Sequence, residues 1–453
     1  MKEFTFAESS KRILNPYLMN RLITVCVLVL LMNFTTDALA QEAYRRWRVM
    51  NEIRNDKFDL VLPEVMRENK IDMWIITNKE GNFDPLYHDM GQGYTSQNGY
   101  YIFTDTGKPR IERVALGIDG GFLEGGGSYD YFGSESELKD FVTKRDPKRI
   151  GLNMSKMIGG ADGLSYTMYQ HLAETLGKKY EARFVSAEKL VSDFRSRRVA
   201  TEIATFAEAG ILSYTIAEKA FSNEVITPGV TTLEDVAWWM REQQFKNNLE
   251  TSFGMPSVYI TGPDGIVATS TDRIIQRGDI LMLDWGVGLM NMYTDMKRMA
   301  YVLKEGETDV PESIKNAFKQ GVKARQVIKE TIKPGITAEQ NYENIYMALE
   351  AAGFGKIEFN KPSAGSKTDV VIGCHSVGNW GHGIGPSIAQ WNPVRFKYIV
   401  KPTNLLSIEL FAYTPLPEWG GKKLRVPLED DAVVTDRGIE WLYPINQRVL
   451  LIK

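Results

Sequence analysis

Apolar residues recur at helical spacing from Phe58 to Glu68, and the chain then enters the unbroken apolar run Met73-Trp74-Ile75-Ile76. A helix followed by a buried strand is the expectation. Tyr100-Tyr101-Ile102-Phe103 and Arg149-Ile150-Gly151-Leu152 supply two further strands, so residues 42 to about 193 read as mixed α/β. The glycines at 120, 121, 125, 126 and 127 lack a following Gly-Lys-Ser/Thr and read as a surface loop rather than a phosphate cradle. The basic cluster Phe194-Arg195-Ser196-Arg197-Arg198 marks a boundary, after which an amphipathic helix is expected from about Thr201 to Ser222. Trp238, Trp239 and Met240 read as core or interface, His88 and His171 as surface positions.

Beyond that helix the pattern repeats. Ile226-Thr227-Pro228-Gly229-Val230-Thr231 returns 106 residues later as Ile332-Lys333-Pro334-Gly335-Ile336-Thr337. Each copy should end one helix with Pro-Gly and start another from a threonine cap, the first being a box of Thr231 with Glu234. Each copy is then followed by one hairpin that carries acids. Asp284 follows Ile280-Leu281-Met282-Leu283, and Asp295 stands eleven residues on, with Gly286, Gly288 and Asn291 between them. Taking Leu289–Met290 as the midpoint puts Asp284 directly opposite Asp295. Glu409 and Glu429 are likewise equidistant from Trp419, beside Gly420-Gly421. Like charges face to face on a ladder repel. A cation is the simplest way to make two such pairs tolerable in apolar surroundings.

At 453 residues, 43% hydrophobic and 25% charged, the chain has the composition of a soluble globular protein of two or three domains. Its formal net charge of −3 offers no basic face for nucleic acid. Lys11, Arg12 and Arg21 precede the apolar stretch Leu22–Leu31 and then Ala38-Leu39-Ala40, the order of a secretory signal cleaved after residue 40. That stretch is too short for a membrane span. Cys26 would leave with the signal and Cys374 would remain alone, so no internal disulfide is expected. A bacterial periplasm is the expected compartment, with no membrane attachment after cleavage.

Of four histidines, His375 and His382 share the glycine-rich run Cys374-His375-Ser376-Val377-Gly378-Asn379-Trp380-Gly381-His382-Gly383. Imidazole added to this many carboxylates suits manganese, cobalt or zinc. Together these residues resemble the pita-bread metallopeptidases, which include methionine aminopeptidase, aminopeptidase P and prolidase, with creatinase as a metal-free relative. The motif set is two aspartates eleven apart, His-x-x-Gly-x-x-x-His, a strand glutamate, and Glu-Asp-Asp-Ala-Val-Val-Thr from Glu429 to Thr435. Taking His375 as the metal histidine places Gly378 and His382 in the pattern; starting from His382 instead would put Ala389 where the second histidine belongs.

After the signal over 1–40, the resemblance implies an α+β chain with a smaller α/β creatinase-like domain over 41–195 and a duplicated pita-bread catalytic domain over 196–453. It implies two divalent ions, manganese foremost with zinc or cobalt as alternatives, held by Asp284, Asp295, His375, Glu409 and Glu429. Asp295 and Glu429 would bridge both ions, which would activate a bridging hydroxide. Glu409 would shuttle the proton, His382 would donate to the oxyanion, and Arg425 would meet a substrate carboxylate or pair with Glu429 or Asp430. The implied activity is a secreted Xaa-Pro aminopeptidase-like exopeptidase acting on peptides, as a homodimer. A same-fold hydrolase of a non-peptide amide, or an inactive peptide-binding protein, are the alternatives. The family histidines expected near Gly265–Thr269 and at Val371 are absent, and Glu409 is followed by Leu410-Phe411 instead of Pro-Gly. The substrate side therefore departs from the family, while the metal set does not.

Overall fold

Successive residues of Met73–Asn78 (β1) point to opposite faces of a sheet, and both faces are covered, which is why the run is apolar throughout. Trp74 and Ile76 pack with Phe58, Leu62 and Phe194 on one side. Met73 and Ile75 pack with Leu138 and Leu172 on the other. In this computed structural model residues 41–95, 97–357, 361 and 365–453 are described. The expected signal, with Cys26, lies outside them. The chain divides into two compact units, 1–50 and 51–453. Residues 41–50 of the first are helical; everything below concerns the second. Among the described residues no helix is long and apolar enough to cross a membrane.

β1 belongs to a six-stranded sheet with Gly99–Thr104 (β2), Glu112–Leu116 (β3), Tyr131–Gly133 (β4), Ile150–Leu152 (β5) and Phe184–Ser186 (β6), in the order β4-β3-β2-β1-β5-β6. The glycine stretch expected as loop contains a short helix, Gly121–Gly125. The basic cluster after this sheet is a buried seam. Arg195 pairs with Asp89 at 2.6 Å and Arg198 with Glu202 at 3.1 Å. Buried guanidiniums need such partners, and these come from distant parts of the chain or the next helix, Ala200–Ala220.

The remaining four sheets lie between Glu250 and Ile452. The internal repeat is visible in them as two helix pairs, Ala200–Ala220 with Leu233–Lys246 and Glu312–Thr331 with Ala338–Ala351. Gly229 and Gly335 turn at φ +84° and +85°, in the left-handed region that favours glycine. Each docks in the same way: the Gly229 N–H donates to the Ile275 carbonyl at 2.7 Å, the Gly335 N–H to the Val400 carbonyl at 2.8 Å. The second helix starts on Thr337 with a Gln340 box. The first starts one residue later than expected, on Thr232 with Asp235. The reason is that the Thr231 hydroxyl is engaged by the Thr227 N–H. Met240 is core, while Trp238 is exposed and donates to Glu234 instead. His88 is exposed and contacts Gln92; His171 is partly buried near Glu135.

The second hairpin has the expected register. Leu410–Pro415 pairs with Lys423–Leu428 so that Leu410 faces Leu428, which carries Glu409 and Glu429 to the same end. The first hairpin does not. Its turn is Met290-Asn291, both at positive φ, with Leu289 paired to Met292. Continued down the ladder, this register sets Asp284 opposite Lys297, not opposite Asp295. The two hairpins join where the Lys297 N–H donates to the Glu429 carbonyl at 3.2 Å.

Behind this junction Asp430 is fully buried between Arg298, at 3.0 Å, and Arg325, at 2.7 Å, and accepts from the Asn446 N–H at 3.0 Å. Removing the carboxylate would leave two buried guanidiniums without their counter-charge. Asp430→Ala is expected to lose about 3–5 kcal/mol in urea unfolding, an order-of-magnitude figure for breaking a buried pair; a loss below 1 kcal/mol would show that the triad is not what fixes this junction.

Candidate metal centre

Each proposed ligand sits where a strand ends, because strand ends let side chains from several ladders converge. Asp284 lies near the end of Ile280–Trp285, and Asp295 immediately precedes Met296–Val302. His375 opens His375–Ser376, Glu409 precedes Leu410–Pro415, and Glu429 follows Lys423–Leu428. Asp295, His375 and Glu429 are all buried, and each offers a ligand atom within 4.8 Å of the others. From His375 Nε2 the distances are 3.4 Å to Glu429 Oε1, 3.7 Å to Glu409 Oε2 and 3.9 Å to Asp295 Oδ2.

Those spacings fit an ion. Four tetrahedral ligands at ~2.1 Å from a metal stand roughly 3.4 Å from one another. The imidazole is oriented for the purpose, since Nδ1 lies 3.0 Å from the Ser376 carbonyl. With the proton on Nδ1, Nε2 turns its lone pair to the carboxylates. Asp295 Oδ1 is buried with no hydrogen-bond partner. A buried carboxylate oxygen left in that state favours a cation beside it.

The Asp284 side of the cluster is filled differently. Lys297 Nζ meets Glu409 Oε1 at 2.8 Å and Asp284 Oδ2 at 3.2 Å, and donates to Glu429 Oε2. Sequence reasoning passed over this lysine. The available signal was the turn: counted from Met290-Asn291, Lys297 faces Asp284. The charges shape one another. Burial, then Glu429, pushes the Glu409 carboxyl up to about 7. Burial would raise Glu429 as well, but Lys297 and His375 outweigh it and hold that group at about 2. Burial, then Glu429 and Asp284, raises Asp295 well above the usual carboxylate range. Burial also raises Asp284, against the pull of Lys297.

A second layer fixes the ligands. The Ser407 hydroxyl donates to Glu429 Oε1 at 2.6 Å, and Asp431 Oδ2 accepts from the Asp295 N–H at 3.1 Å and from the Tyr443 hydroxyl at 3.0 Å. The histidine loop is clamped from the basic seam. Arg198 donates to Asn379 and, at 3.1 Å, to the Val377 carbonyl; the Ser192 hydroxyl accepts from the Gly385 N–H at 3.0 Å. Cys374 is fully buried with Sγ 3.3 Å from the Glu409 carbonyl, and burial raises its thiol pKa, which keeps the reactive thiolate form away.

His382 is not part of the ligand group. Its exposed ring stands edge-on to His375, centroids 5.6 Å apart, and Trp391 lies 5.6 Å from His375 on another side. Arg425 faces an aromatic ring, lying over Phe411 at 4.0 Å, close enough to feel the charges of Glu409 and Asp284. It also lines a cavity of about 1090 Å³ with Thr261, Ile266 and Tyr413.

The sequence profile described as metallopeptidase family M24 matches residues 204–436. The chain is 24% identical over 405 residues to an Xaa-Pro dipeptidase of Pyrococcus furiosus, covering 86% of this chain and 98% of that protein. Among solved structures it is similar to the X-Pro aminopeptidase of Thermotoga maritima, with TM-score 0.61 at 17% identity over 86% of this chain and 99% of the other. It is also similar to the prolidase of Pyrococcus horikoshii, with TM-score 0.57 at 19% identity over 87% and 99%. These likenesses give the fold, the pita-bread architecture with its mixed α/β layers.

Gly373 gives Glu409 its room, since a Cβ there would stand 2.3 Å from Glu409 Oε2. Gly373→Ala is expected to weaken manganese binding about 10-fold or more in calorimetric titration, the usual scale for displacing a ligand through its support. Unchanged affinity would remove Glu409 from the ligand set.

Proposed function

The chain belongs to the metallopeptidase family M24, and from that premise we propose that it is an exopeptidase that hydrolyses the bond next to a peptide's N-terminal residue, with proline favoured in second place. The observation that carries this reading is the buried convergence of Asp295, His375 and Glu429. The names of its relatives, Xaa-Pro dipeptidase and X-Pro aminopeptidase, support the proline preference.

Asp295, His375, Glu409 and Glu429 would hold a divalent ion, manganese in preference to zinc or cobalt because carboxylates dominate the set. Bound there, the ion would supply Lewis acidity and an activated water. The ligand count alone, with Asp284 included, would allow two ions. Glu409 is the proton carrier. With Oε1 turned to Lys297 and Oε2 toward His375, its carboxylate lies where it can take a proton and return it to the leaving amine. His382, beside His375 on the exposed side, donates to the oxygen that gains charge at the attacked carbonyl. Arg425, which lines the cavity, receives a substrate carboxylate. The half-exposed indole of Trp391 offers a prolyl ring an apolar wall.

The same proposal places the enzyme outside the cytoplasm, in a periplasm, on the strength of the basic, apolar and small-residue order before residue 41. The domain boundary near residue 195 and a homodimeric state belong to it on family resemblance.

The test is mass spectrometry of a peptide mixture, some members with proline second, incubated with manganese-loaded protein. Loss of single N-terminal residues, absent for Glu409→Ala, absent for Asp295→Ala and abolished by a chelator, is the expected result. Bound metal without cleavage would redirect the reading to a non-peptide amide or to peptide binding.

A further inference from the structure

Lys297 lies inside the ligand set rather than beside it. Glu409 turns Oε1 to Lys297 Nζ, at 2.8 Å, and Oε2 to His375 Nε2, at 3.7 Å. Glu429 does the same in mirror order, with Oε2 donated to by Lys297 and Oε1 at 3.4 Å from His375 Nε2. Each glutamate thus spans two cation positions, and one of the two is filled by a side chain of the protein itself.

We infer that this centre takes a single divalent ion, on the His375 side, and that the Lys297 ammonium is a built-in substitute for a second. An ion bound to the same oxygens of Asp284, Glu409 and Glu429 would need the volume that Nζ fills, and its charge would repel the ammonium at contact distance. The lysine has no cheap way out. Its backbone is held on both sides, paired with Asp284 in one ladder and bonded to the Glu429 carbonyl on the other. Its side chain is buried, with the Phe411 ring 5.5 Å from Nζ. Turning away would strand an ammonium without its three carboxylates, a large cost in a buried setting. Asp284 then changes role from metal ligand to counter-ion. The ion on the His375 side keeps Asp295, His375 and one oxygen from each glutamate.

The inference rests on the metallopeptidase reading for that one ion and is independent of the substrate. The full chain, stripped with chelator, reloaded with excess Mn²⁺ and freed of unbound ion by gel filtration, is assayed for manganese per chain and by electron paramagnetic resonance. The expected wild-type result is one ion per chain with the six-line spectrum of an isolated Mn²⁺. Lys297→Ala, which opens the second position, is expected to double the count to two and to give the broadened spectrum of a coupled pair. Lys297→Thr replaces it if the alanine variant does not fold. Two ions in the wild type overturn the inference and leave the peptidase reading standing, and one ion in both proteins overturns it too. No ion in the wild type removes the metal-centre reading, and the inference falls with it.

Discussion

Three buried carboxylates and a fourth partly buried one cannot meet at one junction unless positive charge is buried with them, and this constraint organises the sheets beyond Glu250. Repulsion among Asp284, Asp295, Glu409 and Glu429 would otherwise force them to take up protons or part. The pKa pattern records how the load is shared. Glu429, reached by both Lys297 and His375, is held far down, while Asp295, which Lys297 reaches less closely, is pushed far up. The same rule continues behind the site, where Asp430 is matched to two arginines and Asp431 is tied to Tyr443. Burial raises every one of these acids, and nearness to Lys297 and His375 sets how far that is offset.

The hairpin register shows how far the sequence could be followed. Around Trp419 the turn carries Gly420-Gly421, both at positive φ, and equal counting to Glu409 and Glu429 finds the right ladder. The other turn puts a methionine, Met290, in a left-handed conformation that its side chain does not advertise. Asn291 was the visible half of that turn, and Gly286 and Gly288 drew the midpoint toward themselves. A shift of one position at the turn moved the facing partner by two, from Lys297 to Asp295. Because a two-residue slip keeps the same face of the strand, the acids still looked correctly gathered, and the lysine between them went unread.

Other features lay at different depths. The Pro-Gly repeat was legible because it is local, and the structure gives it matching docking bonds at Ile275 and Val400. The cap shifted between two adjacent threonines, a distinction that depends on which hydroxyl Thr227 engages first. The roles of Arg195 and Arg198 were legible only in part. Glu202, four residues from Arg198, was within reach of a local reading, but Asp89 and Asn379 are not, and nothing in a window of sequence connects them to these arginines. The histidine-bearing loop is thus held by residues that read only as a boundary.

The order in which the ligands occur has a consequence for how the protein is made. His375 and Glu409 emerge well after the first hairpin, Glu429 later still, and the strand Leu450–Ile452 seals the first hairpin's sheet by pairing with Ala300–Val302. A nascent chain that has displayed Asp284 and Asp295 holds Lys297 close at hand but not yet the histidine or the glutamates. The ligand group therefore exists only once strands far apart in the chain have closed together, so formation of the centre and closure of these sheets are one event.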